Sequence, residues 1–245
     1  MKQSEFENIK YQVCTEMEYL YKALCKFPNV NSEVLQCSKK KILSSPFKND
    51  TSKIDVSIEA ITFDISTANI KHLLHRGDND IDNVKLRLCM TGIIDANIWN
   101  DKDKNPWKTL SFKAELLILT LQGKLYSKCF HVDQIDSEET KSQEIHPVSH
   151  LHFNFNNIDS TEDSISCDVP RLVHYPIDIV LGISIALQSY APDLYKHLKN
   201  DNYYISLCHD RQKRILKPYF ENFVSAIDRK GKSNTNIKQV CPYLL

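Results

Sequence analysis

Glycine is nearly absent from this sequence: there are five in 245 residues. Loops that cradle phosphates need glycine where the backbone must approach the ligand. No Walker-type loop or dinucleotide fingerprint is present, and so few glycines leave nowhere to hide one. The G-x-S-x-G nucleophile elbow is missing as well. Net charge is also lacking, because Lys+Arg and Asp+Glu balance at 31 each. A balanced chain has no global pull toward nucleic acid or an acidic membrane, so such binding would need a local patch. Close cysteine pairs are missing too. The eight cysteines (Cys14, Cys25, Cys37, Cys89, Cys129, Cys167, Cys208, Cys241) are spread along the chain and never form Cys-x-x-Cys. That spacing argues against a disulfide scaffold or a zinc knuckle and for reduced thiols that act as small hydrophobes. No stretch reaches the roughly 20 apolar residues of a membrane span. Met1 is followed by Lys2-Gln3-Ser4-Glu5-Phe6 without an apolar run of signal-peptide length. The expectation is a cytoplasmic protein that touches no membrane.

What is present describes a globular protein. Hydrophobic residues make up 42% and charged residues 25%, ordinary proportions for a chain that buries its own core. Ser4-Glu5-Phe6-Glu7 reads as a capping box. Phe6, Ile9, Val13, Met17, Leu20 and Leu24 then form one helical stripe, which Phe27-Pro28 ends. A second helix is expected over 32–42, with Lys39-Lys40-Lys41 at its negative pole. From Lys53 the period becomes two. Ile54, Val56 and Ile58 alternate, then Ile61, Phe63 and Ile65 on the other parity, which predicts a bulge. Further strands are expected over 84–90, 110–118, 125–132 and 148–156. Short loops between them make an antiparallel meander. Pro176 is placed in the first turn of an apolar helix over 177–189, the buried central helix. A short helix follows from Pro192, and a longer one over 203–218.

The expected fold is therefore α+β: an N-terminal helix, an antiparallel β-meander of about five strands, and C-terminal helices that include one buried central helix. It forms a single domain over 1–245, with helices in 1–45, sheet in 53–156, helices in 176–228 and a tail over 229–245.

Polar chemistry concentrates in one region. Five of the nine histidines lie between His131 and His174, the others being His146, His150 and His152. On a strand, residues i and i+2 share a face, so His150 and His152 form a candidate pair of metal ligands. His131, His146 or Asp133 could supply a third, with a metal-bound water as the hydrolytic nucleophile. The competing reading is an ordinary polar sheet face. Val169 to Pro176 carries two prolines that rigidify the approach to the central helix. Arg171 and His174 sit on that loop, and Asp178 is expected in the first helical turn. These groups could hold an anion at the helix N-terminus, while an Arg171–Asp178 clamp would fix the loop. Cys167 is a candidate nucleophile, with His150, His152 or His174 as its base. Arg211, Arg214 and Lys217 recur every three residues, so they can share one helix face toward nucleic acid or an acidic protein. Asp210 offers Arg214 a salt bridge instead.

Two resemblances bear on these residues. A helix, an apolar meander, His146-Pro147, a cysteine and further helices loosely resemble a ubiquitin-conjugating enzyme. That would imply a carrier role for Cys167. In that family the cysteine lies much closer to the His-Pro, and an asparagine follows where Val148 stands here. The block His146-Pro147-x-x-His150-Leu151-x-Phe153, Pro170-Arg171-x-x-His174-x-Pro176-x-Asp178 and Arg211-Gln212-Lys213-Arg214-x-x-Lys217-Pro218-Tyr219 is similar to uncharacterised bacterial proteins of mobile and antiviral-defence gene neighbourhoods. This resemblance implies a context rather than a chemistry. The expectation is a non-catalytic subunit without cofactor that binds other protein subunits of a bacterial, antiviral complex and meets nucleic acid only through that complex. The alternatives are a hydrolase or nuclease that uses a divalent transition metal at His150 and His152 with His131 or His174, and a cysteine-based carrier.

Overall fold

In the strand-forming half of the chain apolar residues recur with a period of two, and that period builds one antiparallel sheet. The computed structural model describes residues 1–47, 52–70, 81–101, 104–134, 149–157 and 172–228. The strands are β1 (Val30–Asn31), β2 (Lys53–Asp64), β3 (Ile81–Asp95), β4 (Trp107–Thr120), β5 (Leu125–Gln134), β6 (Ser149–Asn157) and β7 (Leu172–Val173). They pair in sequence order, each antiparallel to the next. The five long strands are the expected meander. The two-residue strands β1 and β7 extend its edges.

Ile58 pairs with Met90 and Ile61 with Leu88, so two residues of β2 face the single residue Cys89. This is the bulge that the parity change anticipates. It keeps Ile54, Val56 and Ile58, and then Ile61 and Phe63, on one buried face. The same face carries Val84, Leu86, Leu88 and Met90 of β3 and Phe112, Ala114 and Leu116 of β4. The opposite face presents Arg87, Lys113 and Glu115, with Arg87 donating to Glu115 at 3.2 Å. Gly123, at φ +79°, makes the tight turn into β5.

Seven α-helices complete the described chain: α1 (Gln3–Leu24), α2 (Val34–Ser44), α3 (Thr67–Ile70), α4 (Ile179–Tyr190), α5 (Pro192–Leu198), α6 (Asn202–Arg211) and α7 (Lys217–Asp228). A π turn, Gln212–Leu216, joins α6 to α7. The N-terminus of α1 corrects the capping-box expectation. The helix begins one residue before Ser4, behind Lys2, with no side-chain cap. Glu7 instead pairs with Lys10 at 3.1 Å. Lys10 is itself buried at 2% exposure and donates to the carbonyls of Leu43 and Ser45 at 3.1 and 2.7 Å. Its ammonium thereby satisfies two carbonyls at the end of α2. Lys39 and Lys41 are paired with Glu18 and Glu59, at 2.8 and 2.7 Å.

The expected central helix is α4, two residues shorter at its start than the sequence implies. Asp178 is its N-cap rather than a first-turn residue, so Pro176 lies outside it. The helix lies against β4 so closely that a Cβ on Gly182 would sit 2.2 Å from the Phe112 ring. On its other side, Tyr204 of α6 donates to the Val180 carbonyl at 2.9 Å and shares a 2.7 Å hydrogen bond with Ser184. Helix α4 is thus held between the sheet and α6. No helix among the described residues is long and apolar enough to cross a membrane.

Candidate functional site

Asp178 is 1% exposed and does two jobs. One carboxylate oxygen accepts from the backbone N–H of Val180 and of Leu181, both at 3.1 Å, which caps α4 at the positive end of its dipole. The other oxygen receives Nε of Arg211. The remaining guanidinium nitrogens of Arg211 reach Glu16 on α1 and Asp210, each at 2.6 Å. Arg214 reaches the same two carboxylates at 3.4 Å, and its guanidinium stacks 4.0 Å from the Trp99 ring. Trp99 in turn donates its indole N–H to Gln12 at 2.7 Å. Burial disfavours the charge on Arg211, but Glu16 and Asp178 outweigh it and hold its pKa above the ordinary arginine value.

This cluster ties α1, the start of α4 and the end of α6 together. It also borders a cavity of about 30 Å³ whose lining includes Met17, Met90 and Trp107. One water needs about 10–15 Å³, so the space suits about two waters. π turns are frequent at functional positions, and this one follows Arg211 directly and contains Arg214. Its effect here is to bring two arginines onto one glutamate. Their donors are committed to carboxylates, which leaves the cluster the chemistry of a clamp.

These contacts correct the reading of the basic helix. Arg211 and Arg214 share a face, as their spacing implies, but that face points into the protein, and the Asp210–Arg214 bridge forms. Lys217 remains on the surface beside Glu221, at 3.7 Å. Arg171, the expected partner of Asp178, lies outside the described residues. So do His146 and the candidate nucleophile Cys167. Among the described cysteines, burial pushes the Cys129 thiol up to about 11, against a smaller opposing effect of Lys113.

The histidines are distributed over two places. His174 follows β7, and its imidazole contacts the Tyr175 carbonyl at 2.7 Å. Burial lowers its pKa, and that carbonyl contact opposes the change. His131 and Asp133 stand on β5 with His131 Nε2 and Asp133 Oδ2 3.4 Å apart. On the neighbouring β6, His152 is opposite His131 and His150 is opposite Asp133. The side chains of His150 and His152 lie outside the described ones. Among the described residues no three metal-ligating side chains converge.

Sequence reasoning missed Glu16, which reads as one more polar position on α1, and Lys10, which falls within the apolar stripe between Phe6 and Val13 and reads as an interruption of it. Arg211, the partner of Glu16, and the Leu43 and Ser45 carbonyls that Lys10 reaches are far away in the chain. Comparison with known proteins adds no identity: no protein-family model, curated protein or solved structure matches this chain.

Proposed function

We propose that this chain is a non-catalytic subunit that binds a partner protein of a bacterial, antiviral complex, and that the outer face of α7 makes the contact. The observation that carries the reading is an apolar pair left in solvent. Phe220 and Val224, one helical turn apart, are 49% and 55% exposed. Large side chains so exposed at i and i+4 match the anchors of a helix that docks against another apolar surface. Tyr175 flanks Phe220, with ring centroids 6.1 Å apart, and widens the patch toward the loop before α4. Lys217 and Glu221 beside it carry both signs, so the partner chemistry that fits is an apolar helix or groove with a mixed-charge rim. The resemblance of the His146–Tyr219 block to proteins of antiviral neighbourhoods supports the choice of complex. Saturation of Arg211 and Arg214 by carboxylates supports a structural rather than catalytic role for the basic segment.

The test is purification of the tagged chain from its host, with stoichiometric partners identified by mass spectrometry and the pair reconstituted from purified components. Phe220→Asp with Val224→Asp is expected to weaken the reconstituted complex by at least about a hundredfold, since a buried apolar anchor is worth on the order of 2 kcal/mol or more. The melting temperature of the chain itself should stay unchanged. An unaltered affinity sinks the α7 interface. Cleavage of nucleic acid, nucleotide or peptide by the isolated chain, lost on His150→Ala, sinks the non-catalytic reading.

A further inference from the structure

A chain without net charge meets nucleic acid only through a local patch, and the packing of α6 on α1 builds one. Tyr19 on α1 and Tyr203 on α6 are exposed, at 37% and 40%. Their rings meet with centroids 5.2 Å apart, tilted by 35°. Two ammonium groups converge on the same place. Lys22 Nζ is 5.9 Å and Lys26 Nζ 5.7 Å from the centre of the Tyr203 ring. No single segment carries both rings, so the sequence does not display the patch. The charges around it do not cancel. Asp201 takes Lys26 and caps α6 by accepting from the Tyr204 N–H at 3.1 Å. Glu18 accepts from Lys39 at 2.8 Å and from Gln36 at 3.0 Å, and stands 3.9 Å from Lys22. Among the described residues, Lys22, Lys26 and Lys39 thus share the two carboxylates Glu18 and Asp201. Lys22 has the longest of these contacts and is 47% exposed, so the surplus positive charge falls beside the rings. Exposed Lys199, two residues before Asp201, adds to it.

We propose that this surface of α1 and α6 binds single-stranded nucleic acid, with Tyr19 and Tyr203 stacking on unpaired bases and Lys22 and Lys26 meeting the phosphates. Every base has a π-face that an exposed tyrosine can cover, and ammonium groups beside the ring neutralise the backbone that carries the base. Both elements are needed, and both are present within one ring's reach. A duplex keeps its base faces inside its own stack and offers the tyrosines nothing. An acidic peptide would engage the lysines but leave the two ring faces without a stacking partner.

The patch is separate from the α7 interface, and its test uses a different readout. The full-length chain is titrated into fluorescein-labelled single-stranded oligothymidylate, and binding is followed by fluorescence anisotropy. The expected result is saturable binding in the micromolar range at low salt. Raising the salt from about 50 to about 200 mM should weaken it roughly sevenfold, the effect of about two phosphate contacts on a single strand. Tyr203→Ala should weaken binding by at least about fivefold, the lower bound for one stacked base, while Tyr203→Phe should bind as the parent does. That rescue separates lost stacking from lost folding. Lys22→Gln with Lys26→Gln should weaken binding and flatten its salt dependence. Lys40→Gln, an exposed lysine on α2, is the control and should change nothing. No saturable binding at low salt overturns the proposal. So does a duplex of equal length bound as tightly as the single strand, or Tyr203→Ala with the parent's affinity. Displacement of the oligonucleotide by a polyglutamate peptide of equal charge with the potency of unlabelled oligothymidylate overturns it in favour of an acidic protein segment.

Discussion

Replacing Arg211 with methionine keeps most of the side chain's length and removes its charge. In the folded protein Asp178 would remain 1% exposed, still accepting two backbone N–H bonds but without a counter-charge. Glu16, at 19% side-chain exposure, and Asp210, at 39%, can turn to water, and Glu16 also retains Arg214. The loss therefore concentrates on one buried carboxylate. Removing one partner of a buried ion pair costs about 3–5 kcal/mol. For a chain of this length each kcal/mol lowers the melting temperature by about 2 °C, so a fall of about 6–10 °C is expected.

Asp178→Asn separates the clamp from alternative accounts. Asparagine can still cap α4, and Arg211 keeps Glu16 and Asp210, so this variant alone should lose only about 1–3 kcal/mol. In the Arg211→Met background the same change removes the orphaned charge. The double variant should then be more stable than Arg211→Met alone, with a coupling of at least about 2 kcal/mol in urea unfolding. Arg211→Met within about 1 kcal/mol of the parent, or no rescue by Asp178→Asn, would refute the clamp. It would then favour an arginine kept for a ligand.

Gly182→Ala should destabilise the protein although alanine is the better helix former by about 1 kcal/mol. Its Cβ would meet the Phe112 ring at 2.2 Å in a core where overpacking costs about 1–3 kcal/mol. Chemical denaturation reads the sign, and a neutral or stabilising result would mean that α4 is free to move off β4. His174 provides a pH test. Burial lowers its folded pKa below the ordinary value of 6.5, so the unfolded chain binds more protons between the two. Stability from this group is complete above pH 6.5 and is lost as the pH falls from there through the folded pKa. His174→Gln should flatten that part of the stability curve, measured as melting temperature from pH 7.5 down to 5. An unchanged profile would contradict the assignment.

The elements legible in the sequence are those whose signal is periodic and local. The change of parity between Ile58 and Ile61 shows in the chain itself, and the bulge opposite Cys89 is its structural form. The largely apolar α4 segment, interrupted by Ser184, announces burial on several sides, as its packing between Phe112 and Tyr204 bears out. What the sequence hides is long-range. Arg211 lies 33 residues from Asp178 and 195 from Glu16, and nothing near any of the three names the others. Two-residue strands such as β1 and β7 are too short to show a period at all. The Ser4–Glu7 motif has the letters of a capping box, but the helix starts ahead of it and Glu7 turns to Lys10.

The histidine face lies between these two cases, and register decides it. His150-x-His152 on one strand is readable as a pair sharing a face. Which residues stand opposite that pair depends on how β6 pairs with β5. The observed register puts the pair opposite Asp133 and His131. A slip of one residue would move every residue of β6 to the other face of the sheet and take Leu151 out of the core. The packing of Leu151 against the core, opposite the buried Val132, specifies the pairing that forms. The juxtaposition of His131, Asp133, His150 and His152 is thus maintained by the same apolar contacts that close the core. Leu151→Lys would therefore oppose the observed register, and the melting temperature of that variant is expected to fall below the parent's.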